Sequence, residues 1–278
     1  MPDVPVHESS YDAVLAGGVR AARRGAQRIR EQAGQLDRVR AKGRNDFVTA
    51  TDEAAQEAIV AALHDATPGV PVLAEEGTSL DAVPTAVEGR RWIVDPLDGT
   101  TNFMQQVPPY AVSIALQEDD AIVVGVVLDV THDELFTAVA GHGLQRNGAP
   151  AGVSDRDAAE DAFVATGFPY RHFEHTEQYL DVLEDMLRRT RGVRRHGAAA
   201  VDLARLACGR FDAFFETGLS PWDVAAGALL VREGGGRVTD YDETGGLTPV
   251  FERQVCATNG PLHAFLLDHL APMQEIRL

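Results

Sequence analysis

The chain has 278 residues, 45% of them hydrophobic and 24% charged, enough for a sizeable core in one compact unit, with two lobes as the variant its length allows. A formal charge of −17 disfavours any general role on a nucleic-acid backbone, and an acidic protein acting on an anionic substrate needs metal ions to reverse the sign locally. No apolar run approaches the roughly 20 residues of a membrane-spanning helix, and Met1 to Ser10 lacks the pattern of a secretion signal.

The elements alternate from the start. Tyr11 to Arg40 places Val14, Leu15, Val19, Ala22 and Ile29 at helical spacing. Asn45 to Asp52 breaks the pattern and reads as a turn and a helix start, and Glu53 to His64 continues as a helix. Strand-type runs follow at Val70 to Ala74, Trp92 to Val94, Ala111 to Leu116, Ile122 to Asp129 and Leu135 to Val139. Asn147-Gly148 is a turn signal and the expected boundary between a lobe of residues 1–147 and one of 148–278. Beyond it, Phe163 to Ala165 and Phe211 to Phe215 read as strands. Glu174 to Arg188, Ala199 to Ala207 and Val224 to Glu233 read as helices, with late strands near Val238 and Val255 before a C-terminal helix. Such mixing predicts an α/β or layered α+β fold. Cys208 and Cys256, far apart in apolar segments, read as buried thiols rather than a disulfide, so a reducing cytoplasm is expected.

Chemistry concentrates in Trp92-Ile93-Val94-Asp95-Pro96-Leu97-Asp98-Gly99-Thr100-Thr101-Asn102-Phe103. An apolar strand delivers Asp95, and Pro96 is expected to bend the chain so that Asp95 and Asp98 enter one space. Paired carboxylates repel unless a cation sits between them, and Mg²⁺ prefers oxygen ligands. Gly99 permits close approach of a ligand, and Thr100 and Thr101 supply donors suited to phosphate oxygens. Asp-Pro-x-Asp-Gly is also ordinary turn chemistry, and the stretch alone leaves both readings open. Glu75-Glu76 ends another strand, and Asp223 opens a helix after Ser220-Pro221. Taken singly, these read as a loop acid and a helix-capping carboxylate.

The ordered set resembles the inositol monophosphatase family, and most closely its bacterial extragenic-suppressor-type members. The resemblance is carried by Lys42 to Asp52, Ala74-Glu75-Glu76-Gly77, Trp92 to Phe103, Ala165-Thr166-Gly167-Phe168-Pro169, Arg194 to Leu203, and Phe215-Glu216 through Trp222-Asp223. It implies a five-layer α-β-α-β-α sandwich of the sugar-phosphatase type. The N-terminal lobe would hold a large antiparallel sheet and most metal ligands, and a C-terminal α/β lobe would complete one catalytic unit.

The same resemblance implies a Mg²⁺-dependent phosphoric monoester hydrolase acting on inositol monophosphate or a similar small polyol phosphate. Two to three ions would be held by Glu75, Asp95, the Leu97 carbonyl, Asp98 and Asp223. Glu75, Thr100 and Asp52 would be catalytic, aligning water. Asp98, Gly99, Thr100, Thr101, Arg194, Ala199, Glu216 and Asp223 would contact substrate. Histidinol phosphate and fructose 1,6-bisphosphate are alternative substrates within the family. A regulatory protein bound to the transcription machinery is the alternative from another class. A homodimer is expected, with no membrane or nucleic-acid partner. Phe168, Ala198 and His196 depart from the family pattern near the substrate alcohol, and His196 reads as structural rather than catalytic.

Overall fold

Alternating residues of the central strands bury themselves in different cores, and that alternation builds the layers. The structure, a computed structural model, describes residues 11–34, 39–43, 46–79, 83–170 and 173–276, with side chains of 39–43 and 46–48 excepted. The expectations for Met1 to Ser10 and for Asn45 lie outside these residues.

Helix α1 (Asp12–Gln32) packs against α2 (Ala50–Ala66). Small residues let them approach closely: a Cβ on Gly25 would lie 2.6 Å from Ile59 Cδ1, and one on Gly17 2.6 Å from Ala66 Cβ. The helix expected to run to Arg40 stops at Gln32 because Gly34, at φ 81°, leaves helical space. Strands β1 (Val39–Gly43) and β2 (Asp46–Thr49) form an antiparallel pair instead of a simple turn.

Seven strands follow in chain order within one sheet: β3 (Val72–Ala74), β4 (Arg90–Asp98), β5 (Ala111–Glu118), β6 (Ala121–Asp129), β7 (Glu134–Val139), β8 (Leu144–Arg146) and β9 (Ala149–Ala151). Only β3–β4 is parallel. Asn147-Gly148, expected as a lobe boundary, is the β8–β9 hairpin turn with both φ positive, so the chain leaves this sheet after Ala151. The second sheet comprises β10 (Phe163–Thr166), β11 (Gly192–Arg194), β12 (Ala213–Thr217), β13 (Arg237–Thr239) and β14 (Gln254–Thr258), in the order β11-β10-β12-β14-β13. The remaining helices are α3 (Thr100–Gln105), α4 (Thr176–Arg189), α5 (Ala199–Ala207), α6 (Pro221–Glu233), α7 (Thr248–Phe251) and α8 (His263–Leu270).

Trp92, Val94, Ile114 and Val126 pack with α1 and α2 on one side of the first sheet. Ile93, Ala115 and Val127 turn to the other side, into a core shared with α5, α6 and the inner face of the second sheet, including Ala165, Phe214 and Ala257. Val164, Phe215 and Cys256 face outward from that second sheet, toward Tyr179 and Met186 of α4 and Leu266 of α8. The order is therefore helix, sheet, helix, sheet, helix, as the resemblance implies. Helix α6 is apolar on nearly every face because it lies between two sheets. A Cβ on Gly125 would sit 3.0 Å from the Ala226 carbonyl, so the helix rests directly on β6. Cys208 and Cys256 are free thiols, the first half-buried. No helix among the described residues is long and apolar enough to cross a membrane.

His263 makes the outer layer sensitive to acid. It is 1% exposed, with Nδ1 3.0 Å from Thr258 Oγ1 and Nε2 3.0 Å from Thr239 Oγ1. Thr239 donates to the Asp240 carbonyl and Thr258 accepts from Gly260 N–H, so Nε2 carries the imidazole proton and Nδ1 accepts. Burial pushes its pKa down to about 4. The folded value lies below the unfolded value of roughly 6.5, so this neutral imidazole costs stability only as pH falls from about 6.5 toward 4. That window amounts to about 3 kcal/mol. Comparing denaturant midpoints of wild type and His263→Gln across it should show a flatter acid limb in the variant; parallel curves would remove His263 from the account.

Candidate active site

The arrangement of the two motif aspartates comes from an irregularity in β4. Asp95 pairs with Ser113 and Asp98 with Ala111, three steps along one strand against two along its neighbour. Residues three apart in a regular strand point to opposite faces; the extra residue in the Pro96–Leu97 bulge removes that difference. Pro96 suits the bulge because it has no N–H to place in the ladder. The chain does not turn away at Pro96, as the sequence suggested, but stays in the strand to Asp98.

Each carboxylate is aimed by a backbone N–H. Leu97 N–H donates to Asp95 Oδ1 at 2.9 Å, Ala200 N–H at the start of α5 to Asp98 Oδ2 at 2.9 Å, and Ser220 N–H before α6 to Asp223 Oδ2 at 2.7 Å. The capping geometry read for Asp223 alone is therefore present and also directs it inward. Oxygens of Asp95, Asp98 and Asp223 lie within 4.8 Å of one another. Asp95 and Asp98 are held well above the usual carboxylate range, first by burial and then by neighbouring acids: Glu75, Asp98 and Asp223 act on Asp95, while Asp223 acts on Asp98. Glu75, at the end of β3, and Leu97 line the same cavity. Buried oxygen donors that repel one another are the donor set a hard divalent cation requires, so the residues fit such an ion.

Beside them, Gly99 takes a left-handed φ of 89° at the start of α3. A Cβ there would crowd the Pro109 and Gly197 carbonyls at 3.2 and 3.3 Å, so glycine lets these two backbone segments approach at this point. Thr100 Oγ1 donates to Asp52 Oδ1 at 2.9 Å, with the Leu97 carbonyl 3.1 Å away. Asp52 is 1% exposed and its other oxygen accepts from Thr49 N–H. Burial raises its pKa against the pull of these hydrogen bonds.

The cavity holds about 430 Å³ and opens between Phe168, Pro169 and Tyr170 on one side and residues 197–199 and 216–219 on the other. Glu75, Asp95, Leu97, Asp98, Gly99, Thr100, Thr101, Ala199, Glu216 and Asp223 all line it; Asp52 reaches it through Thr100. Arg194 does not. Its side chain is exposed and lies over Phe163, 4.6 Å from the ring centroid, while the adjacent Arg195 faces the cavity. Two consecutive residues at a strand end point to opposite sides, and nothing local says which faces inward. Gly167 also has a spatial role: a Cβ on it would lie 1.8 Å from Glu216 Oε1, so the carboxylate crosses the space a side chain would take. His196 is tied by Nδ1 to Asp202 Oδ1 at 2.6 Å, a structural pairing beneath the wall.

Fold and site together define a layered α/β protein whose two sheets enclose a carboxylate cluster suited to a metal ion. The chain belongs to the inositol monophosphatase family, which it matches over residues 10–275. It is 42% identical over 258 residues to a Pseudomonas aeruginosa protein named Nus factor SuhB, covering 91% of this chain and 94% of that one. It is 41% identical over 261 residues to an inositol-1-monophosphatase of Mesorhizobium japonicum, covering 92% and 95%. The crystal structure of the extragenic suppressor protein suhB from Bartonella henselae superimposes with a TM-score of 0.85 at 38% identity, covering 93% of this chain and 98% of that one. Membership of this family supports a phosphatase as the class.

Proposed function

We propose that the protein is a Mg²⁺-dependent phosphomonoesterase that hydrolyses inositol monophosphate or a similar small polyol phosphate in the cytoplasm, as a homodimer in which each subunit's two lobes form one catalytic unit. The observation that carries this reading is the convergence of Asp95, Asp98 and Asp223 beside the Thr100–Asp52 pair. Glu75, Asp95, the Leu97 carbonyl, Asp98 and Asp223 would hold two to three ions. Bound divalent cations supply charge that offsets the phosphate dianion and acidity to water.

The chain's own groups do the positioning. Asp52 holds the Thr100 hydroxyl hydrogen, so the lone pairs of Thr100 Oγ1 are available to accept a hydrogen bond from water and orient it, and Glu75 offers a second acceptor. Backbone N–H groups of Gly99, Thr100 and Thr101 lead α3, where helix N–H groups lack intrahelical acceptors and suit phosphate oxygens. Glu216 serves as acceptor for a substrate hydroxyl, and Ala199 leaves room for the ring. Among the described residues the acidic lining contains no cysteine or histidine nucleophile, which favours direct attack of water. The Mesorhizobium relative's name supports the inositol monophosphate preference over histidinol phosphate and fructose 1,6-bisphosphate. Phosphate release from these three compounds, with Mg²⁺ and with chelator, tests the reading; no Mg²⁺-dependent release from any of them defeats it.

Gly167→Ala offers an independent check on Glu216. The backbone of Gly167 is not left-handed, so alanine is tolerated there and the cost falls on the displaced carboxylate. KM is expected to rise about tenfold, with kcat less affected. Unchanged steady-state constants would show that Glu216 does not hold substrate.

A second reading is favoured by the name of the Pseudomonas relative: a regulatory binding role in transcription on the same fold. Full rescue of a deletion phenotype by Asp98→Asn would select binding; failure to rescue selects catalysis.

A further inference from the structure

Among the described residues lining the cavity, Arg195 alone carries a cationic side chain. Its guanidinium carbon lies 5.0 Å from the centroid of the Tyr170 ring and 5.5 Å from that of Phe168, and those rings meet edge to face at 5.7 Å. On its other side a Cβ at Gly197 would lie 2.2 Å from Arg195 Nη1, so the missing side chain is what lets the guanidinium lie across the loop. Three surfaces thus fix one flat cation. Its Nε is buried and has no hydrogen-bond partner. The nearby acid Asp202 is taken by His196 instead. The main charges acting on Asp95 and Asp98 are other carboxylates, while Arg195 acts on Asp202 and Tyr179, away from the carboxylate floor.

A guanidinium held by stacking, half-desolvated and in no ion pair among the described residues, is pre-organised to receive an anion. We propose that Arg195, clamped by Phe168 and Tyr170, is a specificity-determining residue that receives a second, non-scissile anionic group of the substrate, a phosphate or a carboxylate. The phosphatase reading decides only which end of the substrate reacts; the cavity has room for an alcohol bearing both groups.

Binding of non-hydrolysable analogues separates this proposal from the reaction itself. Three six-carbon polyols would be titrated calorimetrically into the Mg²⁺-loaded full chain: one with a single phosphonate, one with a phosphonate and a terminal carboxylate, one with two phosphonates. Wild type is expected to bind at least one doubly anionic ligand tenfold or more tightly than the singly anionic one, and the better of the two identifies the group. Arg195→Gln should bring that ratio to within twofold, and Arg195→Lys should restore part of it. Equal affinity of wild type for all three ligands overturns the proposal. So does equal weakening of all three by Arg195→Gln, which would place the guanidinium on the shared phosphonate or in a structural role. Phosphate release is measured separately, so loss of the phosphatase reading would leave these ratios interpretable.

Discussion

Asp98→Asn is expected to fold normally and to lose a thousandfold or more in kcat. Asparagine keeps the shape of aspartate and an oxygen that accepts from Ala200 N–H, so the start of α5 stays capped. What disappears is one negative charge from a cluster of three carboxylates, two of them buried. Removing one group that stabilises transition-state charge typically costs about a hundred- to a thousandfold; weaker cation retention adds to it. The metal-free variant should also melt higher than metal-free wild type, because Asp95 and Asp223 lose a like-charged neighbour. Steady-state kinetics with thermal melts of both proteins check the pair of effects. Near-normal turnover would defeat the metal-site assignment.

Removing cations should destabilise the protein in a pH-dependent way whose sign follows from the same cluster. Asp95 and Asp98 have folded-state pKa values well above their unfolded values of about 4. Between those limits the folded chain binds more protons than the unfolded one, so metal-free stability falls as pH rises from about 4 toward the raised folded-state values. Mg²⁺ offsets that repulsion only where the carboxylates are ionised. At a hundredfold excess over Kd it contributes about 2.7 kcal/mol, which for a chain of this size raises Tm by about 5–10 °C. Melts with Mg²⁺ or chelator from pH 5 to 8 should show the two curves separating as pH rises. A constant separation, or none, would mean that the cluster does not bind the ion through ionised carboxylates.

Much of the fold was readable because its signals are local. Apolar runs marked β4, β5 and β6 to within two residues at most edges except the end of β4, and helical spacing placed α5 at Ala199–Ala207 as expected. Short elements escaped: β8, β9, β11, α3 and α7 have three to six residues each, too few for a period to register. The order of acidic motifs was also visible, and it identified the family that the full-length match bears out.

Direction was not visible. Whether Asp95 and Asp98 share a face depends on a bulge set by pairing with β5, and whether Arg194 or Arg195 looks into the cavity depends on what packs beside β11. Nor does Gly167 announce that Glu216, on a neighbouring strand, needs its empty space. Chain order and spacing thus determined which chemical groups this protein owns and which short elements carry them, because those depend on neighbours along the backbone. Only the packing of two sheets around α5 and α6 decided which of these groups meet, because their meeting depends on contacts between residues far apart in the chain.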